Sequence, residues 1–296
     1  NTTNKDFDLT TAKDNDFIPT LIDVRWNTTC NLACKYCDSL SSSKWSSLKK
    51  EYVDTGLRKF YLDIVDFIKK HKHHVKQLAL VGGEPLLLKE NVELLREIPD
   101  TCLVTVISNC SVDLENNKVF DELKKRKNVS WVISIDNINE RLEYVRHGVD
   151  AKQLDKNLKC IVDLIQNKSQ GGSIHAVYNL YSCTRLCELR EYANNYNLDI
   201  NWQILHHPEC LNPANHCKEV KELAINEIEK YIDRYTCKKN HNQLKQILDN
   251  LKNNASSVND KQKQFVAHTK KMEEKYHSDY PKTFTTLWPE LSMLLC

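Results

Sequence analysis

Three cysteines in one short stretch are the residues of this sequence best suited to chemistry. Cys30, Cys34 and Cys37 are separated by three and then two residues. Iron–sulfur clusters and structural zinc ions usually take four protein ligands, so three thiolates leave one coordination position open. The spacing therefore predicts a metal site with a position where chemistry can occur. The alternatives are a zinc site completed by a distant Cys or His, and three unligated thiols.

Glycines, carboxylates and amides recur farther along the chain, each after an apolar run. Gly82-Gly83-Glu84 follows the second run; glycine lets the main chain approach a ligand closely, and a carboxylate suits an ammonium group. The later runs are followed by Ser108 and Asn109, by Ser134 and Asp136, and by Asn179. Alternation along a strand points Ser134 and Asp136 to the same face. Each of these residues is alternatively an ordinary turn residue.

Six strand-like runs, separated by helix-like segments, must position these residues. The predicted strands are 21–26, 75–81, 103–107, 130–135, 173–180 and 198–205. The predicted helices lie near 56–70, 88–97, 115–126, 151–166 and 184–196. Strands joined through helices pair in parallel, and ligands collect at their carboxyl ends. The pattern predicts an α/β fold in which six strands form a partial barrel instead of the usual eight-stranded one.

The rest of the chain is expected to be an arm and a helical extension. Residues 1–19 are polar and irregular, 20–207 contain the six βα units, and 208–296 are rich in Lys, Asn and Glu. Helices are predicted there near 217–236, 240–253, 258–277 and 284–295. We expect this extension to cap the site and to set substrate choice. Within the second region, the Ser-rich residues 39–47 are predicted to be a loop.

The cysteine stretch resembles the cluster loop of the radical S-adenosylmethionine (SAM) superfamily, in which an aromatic residue precedes the last cysteine, as Tyr36 does here. The resemblance implies a partial (β/α)6 radical-SAM barrel with a 4Fe-4S cluster on Cys30, Cys34 and Cys37. It also implies that SAM binds the fourth iron, where one electron cleaves it to a 5′-deoxyadenosyl radical. An external electron donor of the flavodoxin or ferredoxin type is the implied partner.

The same resemblance implies SAM contacts at successive strand ends. Gly82, Gly83 and Glu84 resemble the glycine-rich motif that holds the SAM amine. Ser108 and Asn109 resemble a Thr-Asn-Gly site, with Cys110 in place of the usual Gly, and Ser134 and Asp136 resemble a ribose-binding Ser-x-Asp. Asn179 resembles a contact of the SAM carboxylate. Tyr36 is expected beside the adenine, and Arg146 beside SAM or the substrate.

Longer motifs resemble radical SAM proteins that carry a twitch domain. They are Ser41-Ser-Ser-Lys-Trp45 after the cysteines, the segment 134–148, the segment 208–213, and the segment 218–224. The similarity spans about 20–225, with a weaker echo in 284–291. Such relatives often have a Cys-containing twitch module before the barrel. That module is expected to be either missing from this member or upstream of residue 1.

Composition bounds the partners and the compartment. The 296 residues carry 42 basic and 40 acidic side chains, a net charge of +2, which gives no general attraction to nucleic acid or membrane. No run approaches the roughly 20 apolar residues of a membrane span, and the N-terminus lacks a signal peptide. Twelve cysteines without those features favour metal-binding or buried thiols in a reducing compartment. We therefore expect a cytoplasmic protein with no membrane partner.

Nine cysteines lie outside the first stretch, and two pairs among them are candidates for an auxiliary cluster. The pairs are Cys183 with Cys187 and Cys210 with Cys217. Such a cluster needs about four cysteines brought together. Buried inert thiols are the commoner outcome for residues of this kind.

The leading functional hypothesis is a radical SAM enzyme that abstracts hydrogen from a substrate. A peptide is the leading substrate, because relatives with twitch-type extensions often modify ribosomally made peptides. A nucleotide, a sugar, another small molecule or a partner protein stays open. The alternatives are an activase of a glycyl-radical enzyme and a non-catalytic zinc-binding scaffold, which would be colourless where an iron–sulfur protein is brown.

Overall fold

A six-stranded parallel sheet is the centre of the fold, seen in a computed structural model that describes residues 19–51, 61–235, 241–253, 258–276 and 282–295. In chain order the strands are β1 (Leu21–Val24), β2 (Ala33–Cys34), β3 (Gln77–Leu80), β4 (Leu103–Ser108), β5 (Val129–Ser134), β6 (Arg146–His147), β7 (Gly171–Tyr178) and β8 (Asp199–Ile204). The sheet has the order β1-β3-β4-β5-β7-β8, and β2 pairs separately with β6.

Helices follow the sheet strands in the way a parallel sheet requires. They are α1 (Ser43–Lys49), α2 (Tyr61–His71), α3 (Glu90–Glu97), α4 (Lys118–Lys125), α5 (Asn139–Val145), α6 (Ala151–Lys168) and α7 (Leu186–Asn194). Every neighbouring pair in the sheet is parallel, from β1·β3 to β7·β8. Within the described residues β1 and β8 each pair on one side only, so the sheet is an open arc. The predicted α/β fold with a partial barrel is confirmed.

The two faces of the sheet differ in polarity because one of them is covered by the helices. On β5, Trp131 and Ile133 are fully buried, whereas Ser130, Val132 and Ser134 are only partly buried. Gly172 of β7 shows which face the helices cover, since a Cβ there would lie 2.4 Å from Ile165 of α6. Alternation therefore sends apolar side chains toward the helices and leaves a more polar concave face.

The C-terminal part of the chain is helical, as predicted. It contains α8 (Lys218–Arg234), α9 (His241–Asn253), α10 (Val258–Tyr276), α11 (Phe284–Leu287) and α12 (Pro289–Leu295). Aromatic packing joins it to the barrel: Tyr181 contacts the rings of Phe265, Phe284 and Trp288. No helix of the described residues combines the length and apolar character needed to cross a membrane.

Some local predictions were wrong, and others fall outside the described residues. The Ser-rich residues 39–47 do not form a loop throughout, because helix α1 begins at Ser43 and Ser42 caps it by accepting a hydrogen bond from Trp45 N. Burial of Trp45 offsets the loss of conformational entropy when this short helix forms. Helix α5 and the β2·β6 pair were not predicted. The arm, except for Pro19, and the first turn of the helix predicted at 56–70 lie outside the described residues.

Candidate active site

The three cysteines of the first motif lie together in the loop that follows β1. Cys34 is buried, and Cys30 and Cys37 are partly buried. Burial raises the pKa of Cys30 to about 11. A hydrogen bond between the thiols of Cys34 and Cys37 lowers the pKa of Cys34 and raises that of Cys37 well above its usual value. The loop thus holds three thiols close enough to influence one another's ionisation.

Helix α1 holds the outer side of this loop. Trp45 Nε1 donates a 2.9 Å hydrogen bond to the carbonyl of Cys34, and Cys30 N donates one of 3.1 Å to Ser43 Oγ. Ser42 Oγ also donates to the carbonyl of Leu32 at 2.6 Å. Side chains of one short helix thereby satisfy backbone groups of the loop that no strand ladder reaches. Cys37 packs against the cluster that Trp45 forms with Ala33 and Met272.

The Gly-Gly turn presses against the chain that enters the cysteine loop. A Cβ at Gly83 would lie 2.3 Å from the carbonyl oxygen of Thr29, and Glu84 N donates to that same oxygen at 2.7 Å. Gly82 has φ +113°, a conformation that side chains disfavour. The sequence predicted that the main chain at these glycines approaches another group closely. In the structure that group is the backbone of residues 27–29.

Glu84 is buried and joins the ends of β3 and β4. Its carboxylate accepts hydrogen bonds from Asn109 N at 2.7 Å, Ser108 Oγ at 2.8 Å and Leu86 N at 3.1 Å. Burial raises its pKa from the usual 4.5 to about 7, although these three donors act in the opposite direction. The charge of Arg146 also lowers this pKa, but together with the three donors it does not offset burial, so the carboxylate suits a cationic ligand group.

Asn109 connects the same strand end to the cysteine loop. Its Nδ2 lies 3.8 Å from Cys30 Sγ and donates to Asn31 Oδ1 at 2.9 Å. The next residue, Cys110, has φ +56° and is fully buried. The backbone therefore keeps the left-handed conformation that a glycine would favour at this position, even though a cysteine occupies it.

Asp136 is the most heavily bonded carboxylate of the site. Its Oδ2 accepts from Tyr36 OH at 2.5 Å and from Arg146 Nε at 2.9 Å. Its Oδ1 accepts from Arg146 Nη2 at 3.1 Å and from Val177 N at 2.8 Å. An ionised carboxylate offers about four acceptor positions, so protein donors fill all of them. A ribose hydroxyl reaches Asp136 only by displacing one of these donors.

The two remaining predicted contacts have different surroundings. Ser134 stands partly exposed on the concave face, where it is the register partner of His175. Asn179 is fully buried, and its side-chain amide hydrogen-bonds to the backbone two residues away on either side. Oδ1 accepts from Tyr181 N at 2.8 Å, and Nδ2 donates to the Val177 carbonyl at 3.0 Å. A role for either residue in binding SAM stays a prediction.

A row of polar side chains on the concave face was not predicted from the sequence. His175 Nε2 lies 2.9 Å from Gln203 Oε1, and Asn201 Nδ2 donates to Ser173 Oγ at 3.1 Å. Because an amide oxygen only accepts, the contact with Gln203 places the His175 proton on Nε2. These residues recur at alternate positions of β7 and β8, and that spacing was the available signal.

Buried thiols elsewhere are dispersed. Cys183 and Cys187 are buried, and burial raises the pKa of each, to about 12 for Cys187. Burial also raises the pKa of Cys210. Among residues that the structure describes, no three Cys, His, Asp or Glu side chains are grouped closely enough to hold a single metal ion. In a 4Fe-4S cluster each thiolate binds a different iron, so its thiolates need not meet at one ion.

The donors present fit an iron–sulfur cluster with an additional organic ligand. Three soft thiols are the protein ligands that such clusters use. The buried carboxylate of Glu84 lies at the neighbouring strand end, and Asn109 links it to Cys30. Polar groups on the concave face continue the site into the barrel. The site therefore offers three thiols, a buried carboxylate and a polar wall.

Comparison with known proteins agrees with this geometry. The family model described as the radical SAM superfamily matches residues 24–175, about half of the chain. A 7-carboxy-7-deazaguanine synthase from Clostridium acetobutylicum is 39% identical over 89 residues, covering 29% of this chain and 36% of that protein.

Solved structures of low sequence identity share the fold. SuiB of Streptococcus suis bound to S-adenosylmethionine has a TM-score of 0.52 and 17% identity, covering 73% of this chain and 48% of SuiB. SuiB bound to the precursor peptide SuiA has a TM-score of 0.50 and 17% identity, covering 72% and 47%. Native anSMEcpe with bound AdoMet has a TM-score of 0.50 and 15% identity, covering 81% and 63%. The chain thus matches less than two thirds of the length of each of these relatives.

Replacing the central carboxylate should destabilise the whole fold. Asp136→Asn leaves Arg146 buried without an anionic partner, and we expect a loss of about 3–5 kcal/mol in the free energy of unfolding at pH 7. Urea denaturation measures it. Glu188→Gln, in the partly exposed pair with Arg141, is the matched control and should cost at most about 1 kcal/mol. Equal losses in the two variants would contradict the central role of Asp136.

The buried Glu84 should leave a mark on the pH dependence of stability. Its folded pKa of about 7 exceeds the usual 4.5, so its stabilising contribution is complete below pH 4.5 and is lost as the pH rises through 7. That loss is about 3 kcal/mol. Glu84→Gln stays neutral, so relative to wild type its free energy of unfolding should increase between pH 4.5 and 7, beyond a constant offset. The exposed Glu115→Gln should follow the wild-type curve, and a parallel curve for Glu84→Gln would refute the assignment.

Proposed function

The chain belongs to the radical SAM superfamily, and from this premise we propose that Cys30, Cys34 and Cys37 hold a 4Fe-4S cluster whose remaining iron binds SAM. The predicted membership is confirmed by the family match. When bound, these cofactors supply one-electron cleavage of SAM and, through its adenosyl fragment, removal of a hydrogen atom from a substrate. The observation that carries the proposal is that Asn109 contacts both the thiol of Cys30, in the loop that holds all three cysteines, and the buried carboxylate of Glu84 at the adjacent strand end.

The protein's own groups have separable tasks in this proposal. Glu84 holds the SAM amine, because a cation beside a buried carboxylate relieves the cost of its charge. Asp136 keeps Tyr36 in place next to Cys37 and fixes Arg146. Tyr36 then offers a ring face for the adenine. Gly82, Gly83, Ser108, Ser134 and Asn179 complete the set of proposed SAM contacts.

A peptide is the substrate we favour. SuiB, which shares the fold, is described as bound to a precursor peptide. The concave face of this chain presents imidazole, amide and hydroxyl groups from Ser134, His175 and Gln203. Such groups both donate and accept hydrogen bonds, which suits the alternating N–H and C=O groups of a peptide.

A small heterocycle is the second candidate. It is favoured by the segment that is 39% identical to a 7-carboxy-7-deazaguanine synthase. The same polar wall suits ring nitrogens and carbonyls. An external one-electron donor protein and a cytoplasmic location are parts of the proposal, the latter because twelve cysteines suit a reducing compartment. The twitch-type relationship and the division at residues 19 and 207 stay predictions.

Anaerobic reconstitution tests the cofactor assignment. With iron, sulfide, SAM and a reductant, the wild type should be brown and should form 5′-deoxyadenosine. Replacing Cys30, Cys34 and Cys37 together by Ala should remove cluster iron and at least 100-fold of this activity, because thiolate ligands are lost. Iron analysis and chromatography measure the two effects.

The control for those measurements is a triple variant in which three of the four candidate auxiliary cysteines, Cys183, Cys187 and Cys210, are replaced by Ser. It should retain the cluster and the activity. Unchanged iron in the Cys30/Cys34/Cys37 variant would contradict the assignment. Zinc instead of iron, with no 5′-deoxyadenosine from the wild type, would favour the scaffold alternative.

Deuterium transfer distinguishes the two substrate classes. A peptide library labelled with deuterium on carbon should deliver deuterium to 5′-deoxyadenosine, whereas labelled purines and pterins should not. His175→Ala should reduce the transfer about tenfold by removing a hydrogen bond to the substrate, with unstimulated SAM cleavage retained. Transfer from a heterocycle alone, detected by mass spectrometry, would replace the peptide proposal by the second candidate.

A further inference from the structure

A cluster of three lysines lies on the outer side of the cysteine loop; we call Lys49, Lys271 and Lys275 the lysine face. Lys49 belongs to α1, and the other two belong to α10. The Nζ atoms of Lys49 and Lys275 stand 5.4 Å and 5.5 Å from the ring centroid of the same residue, Trp45. Lys49 and Lys271 are exposed, and Lys275 is partly exposed. Two segments distant in sequence thus bring their cations to one aromatic ring.

These positive charges are only partly balanced by neighbouring acids. Burial and the charges of Lys49 and Lys271 lower the pKa of Lys275, while Glu51 acts in the opposite direction. Glu51 is 3.9 Å from Lys49. On α10 itself, Glu274 pairs with Lys270 and Glu273 accepts from Tyr144 OH. Like charges held together in this way cost free energy that an acidic partner recovers.

The lysine face is separated from the cysteine loop by one layer of side chains. Beneath the ammonium groups, Trp45 is buried and donates from Nε1 to the Cys34 carbonyl at 2.9 Å. Met272, next to Lys271, packs with Trp45 and Ala33, and Cys37 packs against this cluster. The Nε2 atom of His268, on α10, lies 3.0 Å from the carbonyl oxygen of Lys35. Trp45 therefore links the lysine face directly to the backbone of Cys34.

We propose that the lysine face is the docking surface for an acidic one-electron carrier protein. The proposal rests on the proposed function, since it needs a cluster that accepts one electron on Cys30, Cys34 and Cys37. In the docked pair one electron passes from the reduced carrier to the cluster, the carrier is oxidised by one electron, and no covalent bond changes. The lysines contribute by steering and orienting the carrier over Trp45, which is the effect expected of charges at the rim of a transient interface.

Charge reversal on the lysine face tests this role. Lys49→Glu, Lys271→Glu and Lys275→Glu are combined, and a second triple variant reverses the exposed Lys118, Lys218 and Lys245 on α4, α8 and α9. Both variants undergo the same change in net charge. Stopped-flow absorbance follows reduction of the reconstituted cluster by reduced flavodoxin at several salt concentrations. Photoreduced deazaflavin serves as a small donor that needs no docking surface.

We expect the lysine-face variant to be reduced by flavodoxin more than tenfold more slowly than wild type and to lose the salt dependence. Its reduction by deazaflavin should be unchanged, and the control variant should resemble wild type with both donors. Equal slowing in the two variants, or none in either, overturns the proposal. If melting shows that charge reversal unfolds the protein, the corresponding triple Gln variant, which keeps most of each side chain, takes its place.

Flavodoxin binding to cluster-free protein provides a readout that does not depend on activity. Isothermal titration should show an affinity that falls with salt in wild type and at least tenfold weaker binding in the lysine-face variant alone. If wild type accepts no electron from deazaflavin, the proposed function fails, whereas the titration still decides the docking surface. Unaltered affinity in the lysine-face variant overturns the docking surface even when the cluster is reduced normally by deazaflavin.

Discussion

The four hydrogen bonds of the buried Asp136 carboxylate are the interaction on which the rest of the site depends. They join the end of β5 to Tyr36 of the cysteine loop, to Arg146 of β6 and to the backbone of β7 at Val177. The cysteine loop has only two residues of strand, β2, and that strand pairs with β6 beside Arg146. Little regular structure defines the loop by itself. The shape of the loop therefore depends on the Asp136–Arg146 pair. This pair is stable in the interior only while every acceptor position of the Asp136 carboxylate is used.

The second buried carboxylate differs from the first in its compensation. Asp136 pairs directly with the guanidinium of Arg146, whereas the hydrogen bonds of Glu84 come from neutral donors, and the pKa of Glu84 is raised to about 7. The two carboxylates, at the ends of β5 and β3, therefore have different capacities: Asp136 is satisfied by the protein, and Glu84 gains from an added cation. This asymmetry agrees with a site in which the protein fixes the metal-binding loop on one side and receives the amine of an organic cofactor on the other.

The C-terminal helices contribute to the loop as well as to the extension. α10 reaches the loop through His268, Met272 and the lysines, and the aromatic cluster around Tyr181 ties α11 and α12 to the barrel. The concave face of the sheet remains partly exposed, with His175 and Gln203 in contact across β7 and β8. The helices thus cover the outside of the cysteine loop while the inner wall stays available to a substrate.

Much of the fold and the identity of the motif residues could be predicted from the sequence. The six sheet strands lie within about two residues of their predicted bounds, because long apolar runs alternating with amphipathic segments have few other solutions. The structural role of the glycines could not be predicted from the sequence. A SAM contact at Gly83 stays a prediction, and the structure adds another reason for the glycine, because a Cβ there would clash with the carbonyl of Thr29, 54 positions away in the chain. Helix α1 was missed because its stability comes from burying Trp45 and not from its Ser-rich composition.

The sequence by itself determined which residue types are present and at which strand ends they occur: three thiols in one loop, Glu84, Asn109, and Ser134 with Asp136. Spacing carries this information because strands have a period of two and parallel strands end at a common edge. Only the tertiary structure decided how those groups are used. The saturation of Asp136, the raised pKa of the buried Glu84, the polar row through His175 and the lysines gathered over Trp45 all arise between residues far apart in the chain. Such contacts depend on packing across elements, which local sequence patterns do not encode.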